Sequence, residues 1–269
     1  MTVGCGQAES LAVNPTSKID GSEGRDMQRH IEFERLHNFR DLGGYTAADG
    51  RTIAWGRLYR SDSLGKLRGS DWDRFLELGI RTVIDLRYPS EIASRGAVPE
   101  PERFTYANFS IEHRPYDQAA IDPAVDPWRY LADRFAEVAS DGVEEIRQVF
   151  ETVADSDGPT VFHCAAGKDR TGFIAAMVLS ALDISEDQIL TDFALTELAT
   201  AQLIAEWKAA NPNRELTWPG YGRAPAAVMR LVLEDLTATH ESTSRYLTRN
   251  VGIDQKVLDR LRDQLLITG

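Results

Sequence analysis

The stretch Thr160–Gly172 reads TVFHCAAGKDRTG. It follows the turn residues Asp157-Gly158-Pro159. The β-branched, apolar start predicts a short buried strand over Thr160–Phe162. After Arg170 an apolar run to about Leu182 predicts an apolar helix. A loop between a strand and a helix aims successive backbone N–H groups into one concavity, and the helix adds its partial positive N-terminal charge, so the place is built to hold a phosphate. Gly167 allows the tight bend and close backbone approach. Ala165, Ala166, Gly167 and Lys168 form the ring, and Cys164 lies at its base. Arg170, six residues after the cysteine, can return to the mouth and grip two phosphate oxygens with its planar fork.

A thiol in that position is expected to ionise readily, because helix N-termini and nearby cations lower its pKa from ~8.5 to roughly 4–7. Facing a phosphate monoester, the thiolate can displace the alcohol or phenol and form a phosphocysteine, which water then hydrolyses. The amides and Arg170 stabilise the equatorial oxygens throughout, and Thr171 can donate its hydroxyl to the departing sulfur. His163 points away from its neighbour Cys164 in an extended chain and is expected to orient the loop rather than act as its base.

Outward from this segment, β-branched runs alternate with helical periodicity. Strands are predicted at Arg57–Arg60, Ile80–Leu86 and Phe104–Phe109. A helix capped by Ser70 and ended by Gly79 carries Trp72, Phe75 and Leu76. A helical region over Pro127–Asp155 is broken near Asp141-Gly142, and a last helix starts at an Asp254 cap, with Leu258, Leu261 and Leu265 on one face. The prediction is an α/β fold of three layers, in which a short, mainly parallel central sheet is flanked by helices and followed by a helical C-terminal elaboration. Residues 1–28 are polar and without periodicity, which predicts a flexible tail ahead of one catalytic domain over residues 29–269.

Composition narrows the function classes. With 42% hydrophobic and 27% charged residues over 269 positions the chain is of the ordinary globular class. Its longest apolar stretch, Phe173–Leu182, is half the ~20 residues that a membrane span needs. The net charge of −12 repels duplex nucleic acid and anionic lipid surfaces, so an anionic substrate must be captured locally. Cys5 and Cys164 are the only cysteines, and their contexts argue against a disulfide and for a reducing compartment. The start MTVGCGQAES shows no secretory signal, so the expectation is cytoplasmic, with export by another route left open. No HExxH or CxxC occurs, and neither a metal nor a cofactor is expected.

The string from His163 to Thr171 matches the HCxxGxxR(S/T) signature and resembles the cysteine-dependent tyrosine and dual-specificity phosphatases. Asn38-Phe-Arg40-Asp41-Leu-Gly-Gly-Tyr45, Leu58-Tyr-Arg-Ser-Asp62 and Val83-Ile-Asp85-Leu-Arg87 appear in the order of one bacterial and fungal branch, the broad-specificity tyrosine/serine phosphatases. The resemblance covers about residues 31–267. It implies a metal-independent phosphatase acting on phosphorylated protein. Lys168, directly after the loop glycine, resembles phosphoinositide phosphatases and extends the implied substrates to phosphoinositides and phosphoserine/threonine. Asn38, Arg40 and Asp41 are expected to support the loop, the last two as an Arg–Asp pair.

The leaving oxygen needs a proton from a carboxylic acid. The tyrosine phosphatases carry theirs in a WPD loop upstream of the cysteine; here the only similar string, Trp218-Pro219-Gly220, lies downstream and lacks the Asp. Asp169, inside the loop, and Asp85, at the C-terminal end of a predicted strand, are the candidates, with Asp117, Asp122 and Asp126 in reserve. Trp207 and Trp218–Tyr221 lie between helices able to cover the site. Two other readings of the same residues are a phosphate-binding module without turnover and a cysteine-based sulfurtransferase or arsenate reductase.

Overall fold

The computed structural model describes residues 29–111 and 117–268. The tail expected over residues 1–28, Cys5 within it, and residues 112–116 lie outside the described residues. In chain order the structure runs β1 (Arg40–Asp41), β2 (Thr52–Ile53), β3 (Leu58–Ser61), α1 (Ser70–Glu77), β4 (Thr82–Asp85), α2 (Pro89–Arg95), β5 (Thr105–Asn108), α3 (Pro127–Asp141), α4 (Val143–Asp155), β6 (Thr160–His163) and α5 (Asp169–Ala181). A helical remainder follows with α6 (Glu186–Ala194), α7 (Thr200–Ala210), α8 (Ala226–His240), α9 (Thr243–Arg245), a π-helical turn at Tyr246–Asn250 and α10 (Gln255–Leu265). The short β7 (Leu266–Ile267) then pairs with β2.

The strand ahead of the cysteine is the middle of a five-stranded sheet of order β1-β3-β6-β4-β5, in which only the edge pair β1–β3 is antiparallel. Side chains alternate across it with the period of two that a pleated strand imposes. Leu58, Ile84 and Phe162 face the large core built from α3, α4, α5, α6, α8 and α10. Tyr59, Val83 and Val161 face a smaller cluster containing Leu36, Phe39 and Phe75 of α1. Both faces are covered, which is why these strands read as continuous apolar runs rather than as alternating ones. The three-layer α/β fold and its helical elaboration are as expected.

Differences from the sequence reading are local. Ser70 opens α1 as its first helical residue, and the cap position belongs to Gly69, whose φ of 59° makes the sharp entry that a side chain would resist. The helical region does break between Asp141 and Val143, and Asp254 does cap α10, its Oδ1 accepting the Val257 N–H at 2.9 Å. α5 is buried along almost its whole length, so it is the central pillar of the large core and not an amphipathic surface helix. The parallel register sets Ser61, Asp85 and His163 side by side at the C-terminal edge of the sheet, one residue before Cys164. Open α/β sheets place their sites at that edge.

Candidate active site

Cys164 leaves β6 at the sheet edge and the chain bends back at Gly167 to enter α5 at Asp169. Two constraints fix glycine at 167. Its φ is +66°, and a Cβ there would lie 2.7 Å from the backbone carbon and oxygen of Ser61. The bend turns the loop's carbonyls outward, where each finds a donor. Ala165 O accepts from Ser63 N (3.2 Å), Ala166 O and Gly167 O both accept from Asn38 Nδ2 (3.0 Å each), and Gly167 O also accepts from Arg60 Nη2 (2.7 Å). A planar trans peptide points its N–H opposite to its C=O. The amides of Ala166, Gly167 and Lys168 therefore face the inside of the loop, and the N-terminus of α5 adds to them: this is an anion cradle.

Asn38 and Arg60 are themselves held by a buried network. Asp192 of α6, 1% exposed, accepts from Arg40 Nε (2.9 Å), Arg60 Nη1 (2.6 Å) and the Tyr45 hydroxyl (3.3 Å), while Arg40 Nη1 donates to Asn38 Oδ1 (2.5 Å). Burial alone would raise the Asp192 pKa, but the two guanidiniums bring it well below the carboxylate range. Burial and the neighbouring Arg40 push Arg60 down to about 10, which leaves it charged at neutral pH. Helix packing permits the approach. A Cβ at Gly172 would stand 3.0 Å from the Phe193 ring, so α6 can lie directly on α5 and carry Asp192 to the loop. Asn38 and Arg40 thus occupy the supporting place expected of them, but Asp41 does not pair with Arg40. Its carboxylate instead accepts the Gly43 and Gly56 N–H groups at 2.7 Å each, and closes a turn outside the loop.

The assignment of Asp85 as a proton donor needs correction. Its side chain is fully buried, its oxygens take a two-point grip from Arg87 (Nε 2.9 Å, Nη2 2.6 Å), and the Tyr106 hydroxyl donates to it at 3.1 Å. Burial would raise its pKa, but the hydrogen bonds and charge of Arg87 lower it, so Asp85 is held as a carboxylate and has no proton to give at neutral pH. It acts through Arg87, whose Nη1 donates to Ser63 Oγ (2.9 Å), the residue whose N–H holds Ala165 O. His163 is completely buried, which lowers its pKa and leaves it neutral; its Nδ1–H donates to Cys164 O at 3.3 Å.

Arg170 has a partner the sequence reading missed. Its Nη1 and Nη2 donate to Glu91 Oε2 (2.7 Å) and Oε1 (3.0 Å), and Nη1 also donates to Leu86 O (3.3 Å). Burial would lower the Arg170 pKa, yet the Glu91 bonds and the nearby Cys164 raise it instead, so the cation is permanent. Glu91, three residues into the turn that opens α2, also accepts the Tyr88 N–H at 3.0 Å. In sequence it reads only as a helix cap.

Within the loop, Lys168 is 2% exposed and its Nζ lies 3.5 Å from Asp169 Oδ1. Neither of these atoms has a hydrogen-bond partner among the described residues, nor does the buried Thr171 Oγ1. Lys168 and Asp169 thus face each other as an ion pair without a hydrogen bond, and the Thr171 hydroxyl beside them makes none. The reserve carboxylates are engaged locally, Asp117 and Asp126 as helix caps on Ala119 N (3.0 Å) and Trp128 N (2.9 Å), and Asp122 in a turn on Ala124 N (2.8 Å). Trp218 is a core residue whose Nε1 donates to Val125 O (3.2 Å), whereas Trp207 and Tyr221 line a cavity of about 450 Å³ next to Ala165 and Ala166. Among the described residues no cluster of three or more His, Cys, Asp or Glu is placed to hold a metal ion.

A cysteine beneath inward-facing amides, at the start of a central helix and with an arginine six residues on, defines the class of cysteine-loop phosphatases. Comparison with known proteins gives the family. Residues 31–267 match the tyrosine phosphatase family, and the chain belongs to it as a protein-tyrosine phosphatase. It is 32% identical over 244 residues to a Cupriavidus necator protein provisionally named a tyrosine-protein phosphatase, covering 88% of this chain and 85% of that one. It is 27% identical over 275 residues to the triple specificity protein phosphatase PtpB of Mycobacterium tuberculosis, covering 85% and 96%. A tyrosine-protein phosphatase of Nostoc commune is 27% identical over 218 residues, covering 77% and 73%.

Proposed function

We propose that this phosphatase works through a phosphocysteine at Cys164. Bound phosphate seats its equatorial oxygens on the amides of Ala166, Gly167 and Lys168 and on Arg170. Cys164 Sγ attacks phosphorus in line: the S–P bond forms as the ester P–O bond breaks, and the leaving oxygen takes the proton of Asp169. Water then attacks the phosphocysteine and gives a proton to Asp169. The S–P bond breaks, Thr171 donates to the departing sulfur, and inorganic phosphate leaves. The protein's contribution is mainly positioning and charge stabilisation, the usual source of rate in phosphoryl transfer.

The observation that carries this reading is the outward turn of the Ala165, Ala166 and Gly167 carbonyls onto Ser63, Asn38 and Arg60, which forms the cradle. Phosphotyrosine in proteins is the principal substrate in this proposal. The Lys168 ammonium, which has an ion pair with Asp169 but no hydrogen bond among the described residues, supports an extension to phosphoserine/threonine and phosphoinositides, and the mycobacterial relative is named for triple specificity.

The test is rapid acid quench with p-nitrophenyl phosphate and EDTA, followed by mass spectrometry of the peptide containing Cys164. The expected result is a burst of p-nitrophenol with a phosphoryl adduct on that peptide, both lost in Cys164→Ser. Phosphate release that persists in Cys164→Ser would refute the nucleophile.

A further inference from the structure

The cavity beside the loop has a floor at Ala165 and Ala166, and an aromatic wall of Trp207 and Tyr221 with ring centroids 5.7 Å apart. Three charged side chains also line it: Lys66, Glu206 and Arg95. The first two cancel. Lys66 Nζ donates to both oxygens of Glu206 at 2.9 Å and pairs with Asp62 at 3.2 Å, while His37 Nε2 lies 3.1 Å from Glu206. Arg95 differs: among the described residues its side chain makes no hydrogen bond or ion pair. Glu91, one turn back on α2, feels the Arg95 charge, but both its oxygens are bonded to Arg170. In a chain of 42 acidic and 30 basic residues, a guanidinium on a cavity rim with no hydrogen bond of its own among the described residues is left for a ligand.

Its position is also fixed. Arg95 ends α2, and a Cβ at Gly65 would lie 2.5 Å from Arg95 O and 2.4 Å from Gly96 O, so the two backbones pack in direct contact. Gly96 O is further held by Arg87 Nη2 at 3.0 Å. The same helix carries Glu91, the clamp on the phosphate-gripping Arg170. On the other side the Arg95 charge acts on Tyr221, whose hydroxyl is pushed up to about 12 by burial and held back by this cation.

We propose that Arg95 is a specificity residue that binds the carboxylate of an aspartate or glutamate adjacent to the phosphotyrosine of a peptide substrate. The proposal rests on the phosphotyrosine reading above. The phosphotyrosine ring enters the cavity against Trp207 and Tyr221, and the next side chain of the peptide crosses the rim at the end of α2. A planar guanidinium takes a carboxylate in two parallel hydrogen bonds, which favours an acidic side chain over its amide.

Two phosphotyrosine peptides that differ only by Glu against Gln beside the phosphotyrosine provide the test, with a third carrying Lys there. For the wild-type chain, kcat/KM is expected to favour the Glu peptide over the Gln peptide by about five- to tenfold, mostly through KM, with the ratio shrinking at high salt. Arg95→Gln brings that ratio to one. Arg95→Glu reverses it and favours the Lys peptide, a gain that a misfolded variant cannot produce. Equal kcat/KM on the Glu and Gln peptides, or a preference that survives Arg95→Gln, overturns the Arg95 assignment and leaves the phosphotyrosine reading standing. No phosphate release from any of the three peptides by an enzyme that still turns over p-nitrophenyl phosphate overturns both. Loss of phosphoinositide turnover in Arg95→Gln, with the peptide ratio unchanged, overturns it in favour of a lipid headgroup.

Discussion

Arg170 and Glu91 meet fork to fork, Nη1 on Oε2 at 2.7 Å and Nη2 on Oε1 at 3.0 Å. The arginine that the proposed mechanism sets on the phosphate is thus held by a carboxylate on a neighbouring helix. An incoming phosphate dianion competes for the same two nitrogens with the larger charge. Glu91→Ala frees the guanidinium to wander, and kcat is expected to fall about 10–100-fold, the range of a charge-assisted pair of ~1.5–3 kcal/mol. KM should stay level or drop, because a competitor has been removed, and Glu91→Gln should recover part of kcat. Steady-state kinetics on p-nitrophenyl phosphate read this split; an unchanged kcat in Glu91→Ala would show that Arg170 needs no such aim.

Asp169 and Asp85 are separated by a leaving-group series. The Asp169 carboxylate has an oxygen at the loop that makes no hydrogen bond and faces only the Lys168 ammonium, while Asp85 is buried and paired with Arg87. Asp169→Asn is expected to lower kcat on phenyl phosphate by about 10²–10⁴-fold, the usual contribution of a general acid. The loss on p-nitrophenyl phosphate should be much smaller, since that phenolate departs without a proton. Asp85→Asn should lower thermal stability and leave the ratio between the two substrates unchanged. If Asp85→Asn alone altered the ratio, the roles would be exchanged.

Burial of neutral His163 gives stability a defined pH dependence. Its folded pKa is lowered by burial, with Asp85 opposing and Arg87 adding to the effect. Above the unfolded value of ~6.5 the ring is neutral in both states and its contribution is complete. As the pH falls below that, the unfolded chain takes up a proton that the buried ring refuses. Stability is lost with a slope of up to ~1.4 kcal/mol per pH unit until the folded value is passed. Thermal melts of the wild-type chain and His163→Asn between pH 5 and 7.5 should converge as the pH falls, with the variant flatter. Parallel curves would mean that the ring titrates alike in both states.

What could be read from the sequence was what local spacing controls. Thr160–His163, Gly167 and Arg170 lie within eleven consecutive residues, so strand, bend and helix start determine one another, and the cradle follows from their order. Its supports come from far away. Asn38 meets the loop across 128 positions, and Asp192 meets Arg60 across 132. Arg60 did carry a sign of this, since a guanidinium in a fully buried strand requires a partner, but three-dimensional packing alone names Asp192. Glu91 was concealed in the opposite way, because its place at the start of α2 already explained it as a cap. Asp85 misled for a related reason: the end of a parallel strand is where site residues gather, and their supports gather there as well.

The weight of the distant network can be measured at Asp192. Arg40 and Arg60 are fully buried, and this one carboxylate faces both. Asp192→Asn leaves two buried cations without their counter-charge, at a cost of about 3–5 kcal/mol. For a chain of this size, at roughly 2–4 °C per kcal/mol, Tm should drop by about 6–20 °C. Adding Arg60→Met removes one of the stranded charges and should return part of that loss. It also removes the donor that holds Gly167 O at 2.7 Å, so phosphatase activity should stay low in the double variant while Tm rises. Stability and catalysis then move in opposite directions between the single and double variants. If activity recovered along with Tm, Asn38 alone would be sufficient to hold the Gly167 carbonyl.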